Sequence, residues 1–365
     1  MHGASGASIS SGPAGSSGQS AGEPAAMPTG LACEFAGCVD KLPALHLGER
    51  MVLGQVLGPA LTQQYGRQLE LYRRRRLKKL AKAPFVQLLS RVENDSHARQ
   101  LEQNLQQYIA RALEGAADRT PEEMMACLPP DLAVSHLVEP YAVSYTSPSR
   151  DLDNQMGLRA KAHIGAWTIV GPYRGRTCLQ AEYGSMCGAP AAWGFGGDPL
   201  EWRMQLDAYA ANLECFEGLE GLDRGLLAQG HGVFSCSAFM YGNATALVND
   251  PRRDPLANPD EPVAHAANTR ILEFRVGCWV FPFMATIKHI PQGAPLLYDY
   301  GVAYWREGFA ERLQLLETRQ ALQATTSKHT QLQDEYKRMA AALAAAQERN
   351  LALQQALQGG GRGAS

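Results

Sequence analysis

Three short segments of the chain combine tyrosine hydroxyls, side-chain amides and carboxylates with glycine, and such groups can hold and orient a polar ligand. Read one at a time, the segments predict a strand, a turn of small residues and a further strand. Two tyrosines in the last segment, Tyr298 and Tyr300, would then be an ordinary aromatic pair in a β core. A chemical function therefore requires the three segments to act together. They are residues 154–160, 241–250 and 283–301.

In this order the segments resemble the SET domain of protein-lysine methyltransferases, and the resemblance covers residues 139–301. The most specific match is the spacing from Ile290 through Gly293 to the run Asp-Tyr-Gly at 299–301. The middle segment follows the family pattern G-N-x-x-R-(F/L)-(I/V)-N-H from Gly242 onward, and the first corresponds to the family's G-x-G. The resemblance implies a mainly β fold of short sheets with a knot-like crossing of the chain.

Residue roles follow from the same resemblance. The crossing would bring Asn249 and Tyr300 together, although they are far apart in sequence. Tyr300 would lie beside the transferring methyl group and orient the lysine amine. Tyr298 holds the position at which the family uses Phe or Tyr, and a tyrosine there favours stopping after one methyl group. The implied substrate is a protein lysine, with histones among the candidates, and the implied cofactor is S-adenosylmethionine. The cofactor-binding residues implied are Asn154, Gln155, Met156, Gly157, Asn249, Asp250 and Tyr300.

Several positions depart from the family pattern. Gln155 replaces the first glycine of G-x-G, Asp250 replaces the usual histidine, and Ala246 replaces an arginine. The cysteine-rich zinc cluster that follows many SET domains is missing from the sequence after Gly301. These differences leave a second hypothesis open: a catalytically inactive SET fold that serves as a binding module or scaffold.

Composition and residue spacing exclude several other classes. Hydrophobic residues make up 45% and charged residues 19% of the chain, with a formal net charge of −2, so we predict no nucleic-acid or membrane-surface binding. The most apolar stretch, residues 276–287, is too short to span a bilayer. The eight cysteines and nine histidines show no zinc-ligand spacing, and we therefore predict no metal site.

The regions around the three segments divide the chain into parts. Residues 1–30 are rich in Gly, Ser and Ala and predict a disordered tail. Residues 41–130 predict a helical region, with Thr120 as the N-cap of a short helix. The basic run 73–79 within it is a solvated helix face, a nuclear import signal or a phosphate-binding patch. The SET-like region 139–301 carries a looser insertion at 176–230, in which we predict a helix over 199–219.

Residues 308–358 repeat apolar side chains with a period of seven, which predicts a coiled coil. Asn350 occupies a core position, where this residue type favours dimers in register. We therefore predict self-association, with a helix that folds back on its own domain as the alternative. The tail, the composition and the basic run suggest a bacterial protein that acts in the bacterial cytoplasm or after delivery into a host cell, including the host nucleus.

Overall fold

The computed structural model describes residues 42–360 except 78, 114–117, 144–155, 194–198, 214–218, 221, 224–233, 253–257 and 264. Within these residues, eleven strands form three small sheets and helices pack around them. The strands are β1 Arg50–Val52, β2 Gln55–Leu57, β3 Val86–Leu88, β4 Val138–Ala142, β5 Met156–Ala160, β6 Ile169–Pro172, β7 Gly175–Leu179, β8 Ala210–Leu213, β9 Phe234–Ser237, β10 Thr269–Val276 and β11 Trp279–Thr286.

The sheets combine strands that are distant in sequence. One sheet has the order β1-β2-β7-β9-β8, a second has β3-β10-β11-β6, and β4 pairs with β5. β2 runs parallel to β7, whereas β3 runs antiparallel to β10. The region predicted as helical thus also contributes three strands to the sheets. The reason is that β2 and β3 pair with strands far along the chain, while β1 joins the first sheet through its hairpin with β2.

The helices are α1 Pro59–Arg73, α2 Asp95–Ala112, α3 Pro121–Ala126, α4 Gln180–Gly188, α5 Pro199–Ala208 and α6 Ala310–Gly360. The predicted start of α3 is confirmed, because Thr120 and Glu123 form a reciprocal capping box. α2 buries Leu101, Leu105 and Ile109, which lie four residues apart on one helix face. The helix predicted over 199–219 ends earlier, at Ala208, since the chain then pairs with β9 as strand β8.

The hairpin of β10 and β11 forms the centre of the core. All eight residues of β11 are buried, and the rings of Phe274 and Phe283 meet edge to face at 5.9 Å. The turn between the strands has Gly277 at φ +57°. Burying each large apolar side chain contributes about 1.5–3 kcal/mol, so this hairpin fixes the position of the strands on either side of it.

The C-terminal helix α6 is 51 residues long, and its described large apolar side chains past residue 320 are exposed. The helix confirms the predicted helical conformation, while the coiled coil itself stays a prediction. Among the described residues, no helix is long and apolar enough to span a membrane. The exposed apolar residues of α6 are Leu322, Leu332, Tyr336, Met339, Leu343, Leu351 and Leu353.

Candidate active site

The last of the three segments, residues 283–301, lies between the other two segments of the chain. On one side Gly293 donates to the carbonyl of Ala160 at 2.7 Å, and Leu296 donates to that of Leu158 at 2.8 Å. On the other side Leu297 forms a parallel bridge with Asn249. The three segments that the sequence singled out therefore meet at one place. The backbone amide of Tyr298 completes the junction by donating to the carbonyl of Asn249 at 2.9 Å.

Tyr300 is held at this junction by both its backbone and its side chain. Its hydroxyl donates to the carbonyl of Val248 at 2.7 Å. Its amide donates to Oδ2 of Asp250 at 2.8 Å. Both acceptors belong to the turn that follows residues 244–247, so one short stretch of chain determines where the Tyr300 ring lies.

Aromatic rings surround Tyr300. The ring of Tyr298 lies 5.7 Å away, that of Tyr304 meets it edge to face at 5.0 Å, and that of Trp305 stacks on it at 5.9 Å. Two further tyrosines approach from elsewhere in the fold, and the hydroxyl of Tyr173 donates to the carbonyl of Tyr209 at 2.8 Å. Together these residues form the aromatic cluster, which consists of Tyr173, Tyr209, Tyr298, Tyr300 and Tyr304.

The aromatic cluster keeps its hydroxyl groups neutral. Burial raises the pKa of Tyr300 well above its usual value, with smaller contributions from Tyr304, Tyr173, Tyr209 and Asp250. Burial likewise raises the pKa of Tyr173 well above its usual value, and it raises that of Tyr298. These hydroxyls are therefore hydrogen-bonding groups at neutral pH and are not present as tyrosinate bases.

The two segments assigned to the cofactor are in contact. The side-chain amide of Asn249 donates to the carbonyl of Met156 at 3.3 Å, and both residues are partly exposed. Gly157 follows in the same strand, where a Cβ would lie only 2.7 Å from Cε1 of Tyr141 and 2.9 Å from Cγ2 of Val143. Glycine is required here by the close approach of these two side chains.

No family model and no curated protein matches this chain. A search of solved structures does find a match. The chain is similar to the Neurospora SET domain protein DIM-5, a histone lysine methyltransferase, with 20% identity and a TM-score of 0.28. The alignment covers 41% of this chain, and it spans half of the length of the DIM-5 chain.

Most of the predicted site residues lie together. Tyr298, Tyr300, Asn249 and Asp250 share the junction, with Met156 beside them. Gly157 lies in strand β5, whose carbonyls at Leu158 and Ala160 accept hydrogen bonds from the last segment. Asn154 and Gln155 lie outside the described residues.

Five residues of this site had no role predicted from the sequence: Tyr173, Tyr209, Arg252, Tyr304 and Trp305. Tyr173 had a signal, because the resemblance includes the run Tyr-Arg-Gly at 173–175, which follows residues 154–160. Arg252, two positions after Asp250, pairs with that carboxylate at 2.7 Å, a contact that spacing alone did not indicate. Tyr209 lies in the insertion, and Tyr304 and Trp305 lie in the π-helical turn Tyr304–Phe309 before the C-terminal helix, so none of the three belonged to a recognisable pattern.

Proposed function

We propose that this chain transfers a methyl group from S-adenosylmethionine to the side-chain amine of a protein lysine. The observation that carries the proposal is the place of Tyr300. Its neutral hydroxyl, fixed on the carbonyl of Val248, lies at the meeting point of the three segments and inside the aromatic cluster. Such an arrangement suits a reaction that needs a desolvated, aligned amine and no charged base.

The residues present fit the cofactor at two of the assigned segments. Met156, Gly157 and Asn249 would hold it, because the Asn249 amide and the Met156 backbone meet at a partly exposed edge next to the tyrosines. Aromatic faces and backbone carbonyls near this edge suit a positively charged sulfur. When bound, the cofactor supplies an electrophilic methyl group on that sulfur. Asp250 is not available to it, since its carboxylate is buried and engaged by other groups of the chain.

The aromatic cluster would prepare the amine for attack. A free lysine has a pKa of about 10.4, and removal of water by aromatic walls favours its neutral form. Tyr300 commits its proton to Val248, so its oxygen presents lone pairs to a donor N–H and orients the amine. Because the raised pKa keeps the Tyr300 hydroxyl neutral, no tyrosinate is present to take the proton; the amine gives that proton to water as it enters the cluster.

Monomethylation is the product that we propose. The Tyr298 ring lies 5.7 Å from Tyr300, and we propose that its hydroxyl takes up the space that a further methyl group on the amine would need. Lysine-bearing proteins are the proposed substrate class, with histones the first to test. Tyr209, from the insertion at 176–230, belongs to the aromatic cluster, and we propose that the peptide enters beside this residue.

Calorimetric titration of the purified protein with S-adenosylmethionine tests the proposal first. Micromolar binding, followed by methyl transfer to a histone or a peptide array that is lost in Tyr300→Phe, is the expected result. No binding by a protein shown to be folded would contradict it. That outcome would favour the second candidate function, a SET-like scaffold without turnover, for which the engagement of both Asp250 carboxylate oxygens by donors of the chain is the specific observation.

We also propose that the C-terminal helix mediates self-association. Among its exposed side chains, Leu322, Tyr336 and Leu343 lie in one row of the seven-residue repeat. Leu332, Met339 and Leu353 lie in the second row, three residues later in each repeat. Asn350 falls in the same row as Leu343, where two copies in parallel would place one asparagine opposite the other. A second copy of the chain is therefore the partner that this helix face suits.

A further inference from the structure

We infer that Asp250 and Arg252 position Tyr300 and do not contact the cofactor. This inference rests on the proposed function and assigns a different role to the residue that replaces the usual histidine. Asp250 is 5% exposed and Arg252 is 3% exposed, so both charges are inside the protein. Buried charges persist only when they are paired and hydrogen-bonded, and this pair is both.

Four donors surround the Asp250 carboxylate. Oδ1 accepts from the Arg252 amide at 2.8 Å. Oδ2 accepts from Nη1 of Arg252 at 2.7 Å, from the Tyr300 amide at 2.8 Å and from Nε1 of Trp305 at 3.2 Å. An ionised carboxylate offers about four lone-pair sites. Three donors of the chain therefore occupy Oδ2 and one occupies Oδ1, and because the carboxylate is buried, a ligand group would have to displace a donor to reach Oδ2.

Arg252 also contacts Asp299, the residue directly before Tyr300. Its Nη1 also donates to Oδ1 of Asp299 at 2.8 Å, and its Nε donates to the carbonyl of Pro259 at 3.0 Å. Asp299 in turn accepts from the Gly301 amide at 2.8 Å. The backbone on both sides of Tyr300 is thereby tied to one arginine–carboxylate pair.

The same carboxylate oxygen orients a ring that packs on Tyr300. Trp305 donates to it through Nε1, and its ring stacks on Tyr300 with an interplanar angle of 11°. Tyr300 is thus fixed by its amide, by its hydroxyl on Val248 and by the tryptophan behind it. Since displacement of a reacting group by about 1 Å can cost on the order of 100-fold in rate, this support bears directly on turnover.

Asp250→Asn is the sharpest test, because it keeps the shape and replaces one acceptor by an NH₂ group. Donors face both carboxylate oxygens, so the new NH₂ must oppose an N–H whichever way the amide turns. The Kd for S-adenosylmethionine should change by less than about threefold, while kcat at saturating cofactor falls by about tenfold or more. The matched control is Asp334→Asn, an exposed carboxylate on the C-terminal helix, which should change neither value.

Two structural readouts keep the inference separate from the proposed function. In Asp250→Asn the backbone amide of Tyr300 should exchange its hydrogen faster, and the indole N–H resonance of Trp305 should shift. Both changes are expected even if the wild-type protein transfers no methyl group. The inference is overturned if neither the exchange rate of the Tyr300 amide nor the Trp305 indole resonance changes. It is also overturned if the variant loses cofactor affinity tenfold and regains normal kcat at saturating cofactor. Should Asp250→Asn fail to fold, Arg252→Lys, whose single ammonium replaces the guanidinium contacts, should show the same two changes.

Discussion

The hydroxyl of Tyr300 and the carbonyl of Val248 lie 2.7 Å apart, although 52 positions separate them in sequence. The bond closes the junction at which the three sequence segments meet, and it commits the hydroxyl proton, so that the oxygen keeps acceptor capacity alone. Because that hydroxyl is partly buried and neutral, we propose that it orients a substrate group.

Removing the Tyr300 hydroxyl should reduce turnover without preventing cofactor binding. In Tyr300→Phe the ring keeps its contacts with Trp305 and Tyr304, but nothing orients the amine. We expect kcat to fall by about 10²-fold, the usual size for loss of one aligned hydrogen-bonding group, with the Kd for S-adenosylmethionine within about threefold of wild type. The control is Tyr336→Phe, whose side chain is exposed on the C-terminal helix. Equal turnover in both variants would remove Tyr300 from the reaction.

Enlarging the space near the amine should change the product. Tyr298→Phe removes one hydroxyl from the aromatic cluster and leaves the 5.7 Å ring contact with Tyr300 in place. Mass spectrometry of the methylated substrate should then show dimethyl- and trimethyl-lysine where the wild-type protein yields the monomethyl form. A trimethylated main product from the wild-type protein would contradict the proposed role of Tyr298.

Alkaline pH should destabilise the fold through its buried tyrosines. Burial raises the pKa of Tyr72 to about 12 and holds those of Tyr173 and Tyr300 well above their usual values. The unfolded chain therefore releases these protons at lower pH than the folded chain. The stability from neutral hydroxyls is complete below about pH 10 and is lost as pH rises above it. Denaturant unfolding followed from pH 8 to 11 should show this decrease, and a flat profile would contradict it.

Two glycine-to-alanine changes should have opposite effects on stability. The Cβ of Gly157→Ala would meet the Tyr141 ring at 2.7 Å, and we expect a loss of about 1–3 kcal/mol. Gly66 lies within helix α1 with open space around its Cβ position, so Gly66→Ala should gain about 0.4–1 kcal/mol. Urea unfolding of the two variants beside wild type measures both, and equal shifts would contradict the packing at Gly157.

Self-association should depend on the heptad rows and not on apolar character alone. Leu343 and Leu351 are similarly exposed, at 61% and 58%, but only Leu343 lies in a heptad row. Sedimentation velocity should show that Leu343→Lys dissociates the dimer, because a charge enters its core. Leu351→Lys should leave the dimer intact. A wild-type protein that sediments as a monomer at tens of micromolar would refute the coiled coil.

Local features of the chain were predictable from the sequence because neighbours decide them. The capping box at Thr120, the stripe of α2 and the helical conformation of α6 follow from spacing and from side chains within a few residues. The resemblance of residues 241–250 and 283–301 to the family pattern was also recognisable, because it depends on the order and spacing of residues within the sequence. The contact between Asn249 and the last segment was predicted through the family resemblance and not from either segment alone.

The tertiary structure alone decided how those segments are supported. Strands β2 and β3 were missed because they pair with β7 and β10, which lie far along the chain. β1 was missed with them, since it joins its sheet through β2. Tyr209 and Tyr304 join the aromatic cluster from unrelated elements, so no periodicity could mark them. Asp250 could be named as a departure from a pattern, but its engagement by Arg252, Tyr300 and Trp305 appears only in three dimensions. The role of a buried charge depends on which donors surround it, and long-range packing determines those donors.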